Sequence, residues 1–266
     1  MTSRVIAIDW SGALKGARKK IWLAEANNGN LVTLENGRDR GEIADHLIEL
    51  ARRSPKLIVG LDFAFSLPSW FLAQHELASV HDLWSLAERE AEAWLSRCQP
   101  PFWGRPGTKR PKIPNELLFR RTDREVPAPG GITPKSVFQI AGPGSVGTGS
   151  LRGMPILRRL HSAGFSIWPF DPPGWPKVVE IWPRILTGVV TKSSPVERAE
   201  YLRDRYPTLS SKHYSDAAGS DDAFDAAVSA LTMADHVDEL TALPVALDQE
   251  LLFEGEIWHP KKPSVP

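Results

Sequence analysis

RVIAIDW, residues 4–10, sets four apolar residues in a row and ends them on an acid; LIVGLDFAF, residues 57–65, repeats the pattern. Asp and Glu are depleted in strands and are rarely buried without a partner. An acid fixed in or at the end of such a run therefore needs a reason. Between the two runs, residues 19–25 and 31–35 are predicted as two more strands, joined through the turn-forming Asn27-Asn28-Gly29-Asn30. Three strands with short connections predict an antiparallel meander. Residues 40–53 follow with Ile43, Leu47, Leu50 and Ala51 on one helical face. A helix leading into the continuous apolar run 57–65 predicts a parallel crossover that returns beside the first strand.

Further along, 70–97 is predicted helical, with Trp70, Trp84 and Trp94. Residues 99–136 lack periodicity and are rich in Pro and Gly; a short strand is expected at 137–141. The glycine loop GPGSVGTGS (142–150) leads into a helix at about 151–163. Runs 165–170 and VVEIWP (178–183) both read as strands, and they compete for the fifth position in the sheet. Helices are expected at 195–205 and 220–236, and an edge strand within EGEIWHP (254–260), in a tail that begins at about 243.

The 266 residues, 42% hydrophobic and 24% charged, suit a single domain with a full core. Lys+Arg and Asp+Glu are both 32, which excludes a globally basic nucleic-acid coat protein. The one cysteine, Cys98, excludes an intramolecular disulfide and a Cys-based zinc cluster and points to a reducing compartment. The best apolar run, Leu57 to Leu61, is far short of the roughly 20 residues a membrane span needs. With no signal-peptide pattern at the N-terminus, the expected location is cytoplasmic, with no membrane partner.

The carboxylates carry the chemistry. Asp9, Asp62 and Glu180 each lie in or at the end of an apolar strand. Asp221, Asp222 and Asp225 lie in the first turn and a half of the last clear helix, at spacings that can face one point. Ser220 as N-cap and acids complementing the helix dipole would account for that helix alone. Taken together, the acids are better explained by a shared divalent cation, and all-oxygen ligands favour Mg2+ or Mn2+.

The order of VIAIDWSG (5–12), GLDFAFSLP (60–68), GPGSVGTGSLRG (142–153), VVEIWP (178–183) and DDAFDAAVSAL (221–231) resembles an uncharacterised family of predicted nucleases with a ribonuclease H-like fold. The resemblance spans about residues 4–235, with a large insertion at about 66–136. It implies an α/β fold: a mixed sheet of three antiparallel strands and then parallel strands, flanked by helices. It also implies an acidic metal site with Asp9 on the first strand and Asp62 on the fourth, completed by Glu180 and by one or two of Asp221, Asp222 and Asp225. The activity implied is metal-dependent hydrolysis of phosphodiesters, with nucleic acid or another phosphoester as partner. Two cations about 4 Å apart would activate water and stabilise the leaving oxygen.

Within residues 97–125, eight Lys and Arg stand against three acids, a local charge of +5. Lys109, Arg110, Arg120 and Arg121 are the candidate phosphate contacts there, with Trp103, Phe102 and Phe119 as stacking platforms. Gly144, Gly147 and Arg152 are candidates for cradling a phosphate at a helix N-terminus. Gly142, Gly144 and Gly147 also fit G-x-G-x-x-G, with Asp171 some twenty residues on, but Pro143 and the delayed helix argue against a dinucleotide site. No Lys-Ser/Thr follows the last glycine, so the loop is not a P-loop. The seven histidines show no metal-ligand spacing; His213 is a candidate for proton transfer, and Lys192 and Lys212 for weaker phosphate contacts. An actin-like ATPase-type phosphotransferase and a non-catalytic binding module on the same fold remain alternatives.

Overall fold

A computed structural model describes residues 3–261; the remaining C-terminal stub, 262–266, and residues 1–2 lie outside the described residues. Strands β1 (Arg4–Asp9), β2 (Trp22–Asn27) and β3 (Asn30–Glu35) form the expected antiparallel meander. Strand β4 (Leu57–Leu61) returns parallel to β1. Strands β5 (Ser166–Ile167), β6 (Lys177–Ile181) and β7 (Ile257–Trp258) complete the sheet, in the order β3-β2-β1-β4-β6. Both β5 and β7 pair in parallel with β6, at its opposite ends. The chain is thus an α/β protein with a mixed sheet, antiparallel and then parallel, flanked by helices. Of the two runs competing for the place beside β4, the one carrying Glu180 takes it.

Strand alternation sorts the core into two layers. Ile6, Ile8, Val59 and Leu61 face helices Arg40–Arg53, Val80–Arg97 and Gly147–Ser162. Val5, Ala7, Ala24, Ala26 and Ile58 face the C-terminal helices, chiefly Asp221–Asp235. That second layer is built for close approach. Ala223, Ala226, Ala227 and Ala230 lie buried on the last helix, and a Cβ at Gly60 would stand 2.6 Å from the Met233 sulfur. Helix Arg40–Arg53 starts where expected because Asp39 and Glu42 satisfy each other's backbone N–H groups, a capping box.

The connections depart from expectation. The second strand begins later, since Ala17–Lys20 forms a short helical turn. The 57–65 run leaves the sheet at Asp62, and the 70–97 helix is two, Ser69–Gln74 and Val80–Arg97. Residues 137–141 make only an isolated bridge, Trp103 to Gln139. The 165–170 strand shrinks to two residues before a cis Trp168-Pro169 bond. Helix Gly147–Ser162 begins inside the glycine loop rather than after it. Parts of the expected insertion enter the first core layer: Phe102, Trp103, Leu118, Val137 and Phe138 are all buried there. No helix among the described residues is long and apolar enough to cross a membrane.

Candidate functional site

Register brings the first two acids together. Ile8 pairs with Leu61, and the Asp62 N–H donates to the Ile8 carbonyl at 3.1 Å. Asp9 and Asp62 therefore leave adjacent parallel strands at the same level. Counting by two from Val5 and Ala7, and from Ile58 and Gly60, puts both on the face covered by helix Asp221–Asp235. That helix presents Asp225 to them from its buried side. Lys192, on the loop before helix Pro195–Arg205, donates to Asp225 Oδ2. The other oxygen, Oδ1, is buried without a hydrogen-bond partner.

The acids act on one another electrostatically. Burial pushes the Asp9 carboxyl well above its ordinary range, and Asp62, Asp225 and Asp222 push it further. Asp62 is raised to about 8, by burial first and then by Asp225, with Lys192, Glu180 and a hydrogen bond with Asp9 as smaller influences. Asp225 rises to about 6 through burial, against the pull of Lys192. Asp222, half-buried, is raised by burial and by Asp221. One ammonium thus faces four carboxyls whose proton affinity burial raises, with repulsion among the acids adding to it. Asp221 is exposed at the helix start.

Glu180 does not join them as an open ligand, which corrects the sequence expectation. It pairs in register with Leu61 and shares that residue's face, so it points away from the layer that holds Asp225. Arg120 clasps it with two hydrogen bonds of 2.6 and 2.8 Å, and the Phe65 N–H adds a third at 2.9 Å. Arg120 also clasps Asp123 at 2.8 and 3.1 Å. Burial raises the Glu180 carboxyl against the opposing pull of Arg120. Arg120, 1% exposed, cannot reach a substrate: it is the cation of a buried ion triad.

The other predicted contacts divide. Beside the acids lies a cleft of about 720 Å3, walled by Asp62 and Asp222, the loop Ser11–Ala13, and the glycine loop with Gly142, Gly144, Thr148 and Gly149. Lys20, Arg105 and Arg152 supply its positive charge. Arg152 is at the cleft as expected, anchored to Glu92 and to the Gly12 carbonyl. Gly144 lines the cleft with φ +67°, a conformation that favours glycine. Gly147 is buried behind it: a Cβ there would lie 2.2 Å from the Val137 carbonyl, so its role is packing. Trp103 and Phe102 are buried, not stacking platforms, and Arg110 lies over the Trp103 and Phe119 rings. Lys109 and Arg110 are exposed but do not line the cleft. Arg121 is engaged by Glu125 and Asp248, and Lys212 by Asp216; His213 is not a cleft residue. Lys20 is not among the expected contacts, and Arg105 enters them only as one of the basic residues of 97–125. Neither belongs to a motif, and only the folded chain brings them to the glycine loop.

The donor set of Asp9, Asp62, Asp222 and Asp225 is all carboxylate, the chemistry of Mg2+ or Mn2+. The partnerless Asp225 Oδ1 fits that reading, because it is an acceptor with a lone pair and no protein donor. No family model, curated protein or solved structure matches the chain.

Proposed function

We propose that the protein is a divalent-metal-dependent phosphodiesterase, acting on nucleic acid, on a ribonuclease H-like fold. The observation that carries the reading is the convergence of Asp9, Asp62 and Asp225 at the strand ends, with Asp222 on the wall of a cleft that also holds Arg105, Arg152 and Lys20. The sheet order β3-β2-β1-β4-β6, with its antiparallel first three strands, supports the fold. Asp9, Asp62 and Asp225 would hold Mg2+ or Mn2+, and Asp222 would reach it from the cleft side. Bound there, the metal supplies Lewis-acid activation of water and neutralises charge on the phosphate. The chain's own part is to strip water from the acids by burial and to seat the phosphate against Arg105, Arg152 and the glycine loop. Lys192 balances part of the negative charge when the acids ionise.

The test is cleavage of single- and double-stranded DNA and RNA with Mn2+, Mg2+ or EDTA. Metal-dependent cleavage that Asp62→Asn abolishes supports the proposal. Intact substrates under all conditions, with a well-folded protein, count against it. The glycine loop on the cleft wall favours one second reading, an actin-like ATPase-type phosphotransferase. That reading requires nucleotide and metal together, and not metal alone, to raise the melting temperature.

A further inference from the structure

The seven histidines are scattered in sequence, yet two of them meet one aspartate. His81 opens helix Val80–Arg97 and His161 closes helix Gly147–Ser162. Both turn Nε2 toward the same oxygen, Asp171 Oδ1, at 2.9 and 3.4 Å. The three ligand atoms all lie within 4.8 Å of one another. The second Asp171 oxygen accepts from the Ile167 N–H at 2.8 Å, which fixes the carboxylate's orientation. Trp84 packs edge-on against the His81 ring, with Phe170 beyond it, giving the cluster an apolar floor.

We propose that His81, His161 and Asp171 form a zinc site, separate from the acidic cleft. Around a tetrahedral Zn2+, with Zn–N and Zn–O bonds of about 2.0–2.2 Å, ligand atoms stand roughly 3.3 Å apart. The two His–Asp171 distances of 2.9 and 3.4 Å bracket that spacing, and all three ligand atoms lie within 4.8 Å. Two imidazoles and one carboxylate suit zinc, whereas the all-oxygen cleft suits Mg2+ or Mn2+. Both histidine side chains are partly exposed, so the ion can enter and its fourth position is left to water. The site lies well away from the cleft: nine residues of helix, about 13 Å, separate His161 from the cleft's Arg152. Zinc there would tie two long helices to the loop after β5, a cross-link that favours the folded state by mass action.

The test uses full-length protein stripped with a chelator, then titrated with Zn2+ by calorimetry and with Co2+ by visible absorption. The expected result is one tight Zn2+ equivalent, a rise of several degrees in melting temperature, and the intense Co2+ bands of a four-coordinate site. Binding should persist in the Asp9→Asn/Asp62→Asn double variant and weaken at least about 100-fold in His161→Gln. Second-shell losses alone cost about 10–100-fold. Zinc uptake that His161→Gln and His81→Gln leave unchanged, or no uptake by the wild type at micromolar Zn2+, would overturn the proposal. The wild-type Co2+ spectrum decides the matter even if a variant folds poorly: weak six-coordinate bands contradict it.

Discussion

Asp62 carries a proton at neutral pH that an exposed aspartate would have lost. Its carboxyl titrates near 8 in the fold against an ordinary value of 3.8. Between these values the folded state binds more protons than the unfolded chain, so the free energy of unfolding falls as pH rises through this window. The metal-free protein should therefore melt at a lower temperature at pH 8 than at pH 5. Asp62→Asn removes the titrating group, so it should flatten the decline and stabilise the metal-free protein at pH 8 by about 1–3 kcal/mol. Melting curves in EDTA from pH 5 to 8, for wild type and variant, check this; parallel curves for the two proteins would contradict it. The proposed divalent metal would act in the opposite direction. It would have to displace protons from Asp9, Asp62 and Asp225, so its affinity should climb with pH up to about 8. Calorimetry in buffers of different ionisation enthalpy would count the protons released.

At the scale of elements, the parity of strand β6 decides what Glu180 does. Val178, Glu180 and Trp182 alternate with Val179 and Ile181, and either set could have faced the acids. The register with β4 puts Glu180 beside Leu61, on the wrong face for Asp225, and there Arg120 neutralises it. Arg120→Ala would leave Glu180 and Asp123 buried without their cation, at a cost of about 3–5 kcal/mol. Chemical denaturation should show that loss, while the metal affinity of the molecules that remain folded stays near the wild-type value. The meander, the crossover and the acidic helix were legible because each is written in local periodicity. Asp9 and Asp62 were legible for the same reason: an acid that interrupts an apolar run stands out. Glu180 met the same criterion and was misassigned, since one residue of register flips a side chain through the sheet. Trp103 and Arg120 were misread because an aperiodic, Pro-rich segment gives no sign of which of its side chains turn inward. The His81–His161–Asp171 cluster was invisible, its members being 80 and 10 residues apart and brought together only by helix packing.

Over the whole molecule, a formal charge of zero conceals a division of labour. The acids gather at the ends of β1 and β4, and Lys20, Arg105 and Arg152 line the cleft beside them. Two of the eight basic residues of the +5 stretch are engaged within the chain, Arg120 in its buried triad and Arg121 with Glu125 and Asp248 at the surface. Backbone contacts should come from the residues that line the cleft, Arg105 among them, and not from the stretch as a whole. Arg105→Ala should weaken nucleic-acid binding and reduce its salt slope by about 1, whereas Lys109→Ala should leave both nearly unchanged. Binding isotherms across a salt series measure the two slopes, and the reverse ranking would move the interface to the outer surface.

Whether Asp9 is a metal ligand or a structural acid is decided by Asp9→Asn, which keeps the volume and removes the charge. The paired measurement is the melting temperature in EDTA and the rate of Mn2+-dependent cleavage, on the same preparation. If Asp9 is a ligand, the metal-free melting temperature should hold or rise, since a crowded carboxyl has left the cluster. The cleavage rate should fall by orders of magnitude. A variant destabilised by about 1–3 kcal/mol that still responds to Mn2+ as the wild type does would show instead that Asp9 serves the fold.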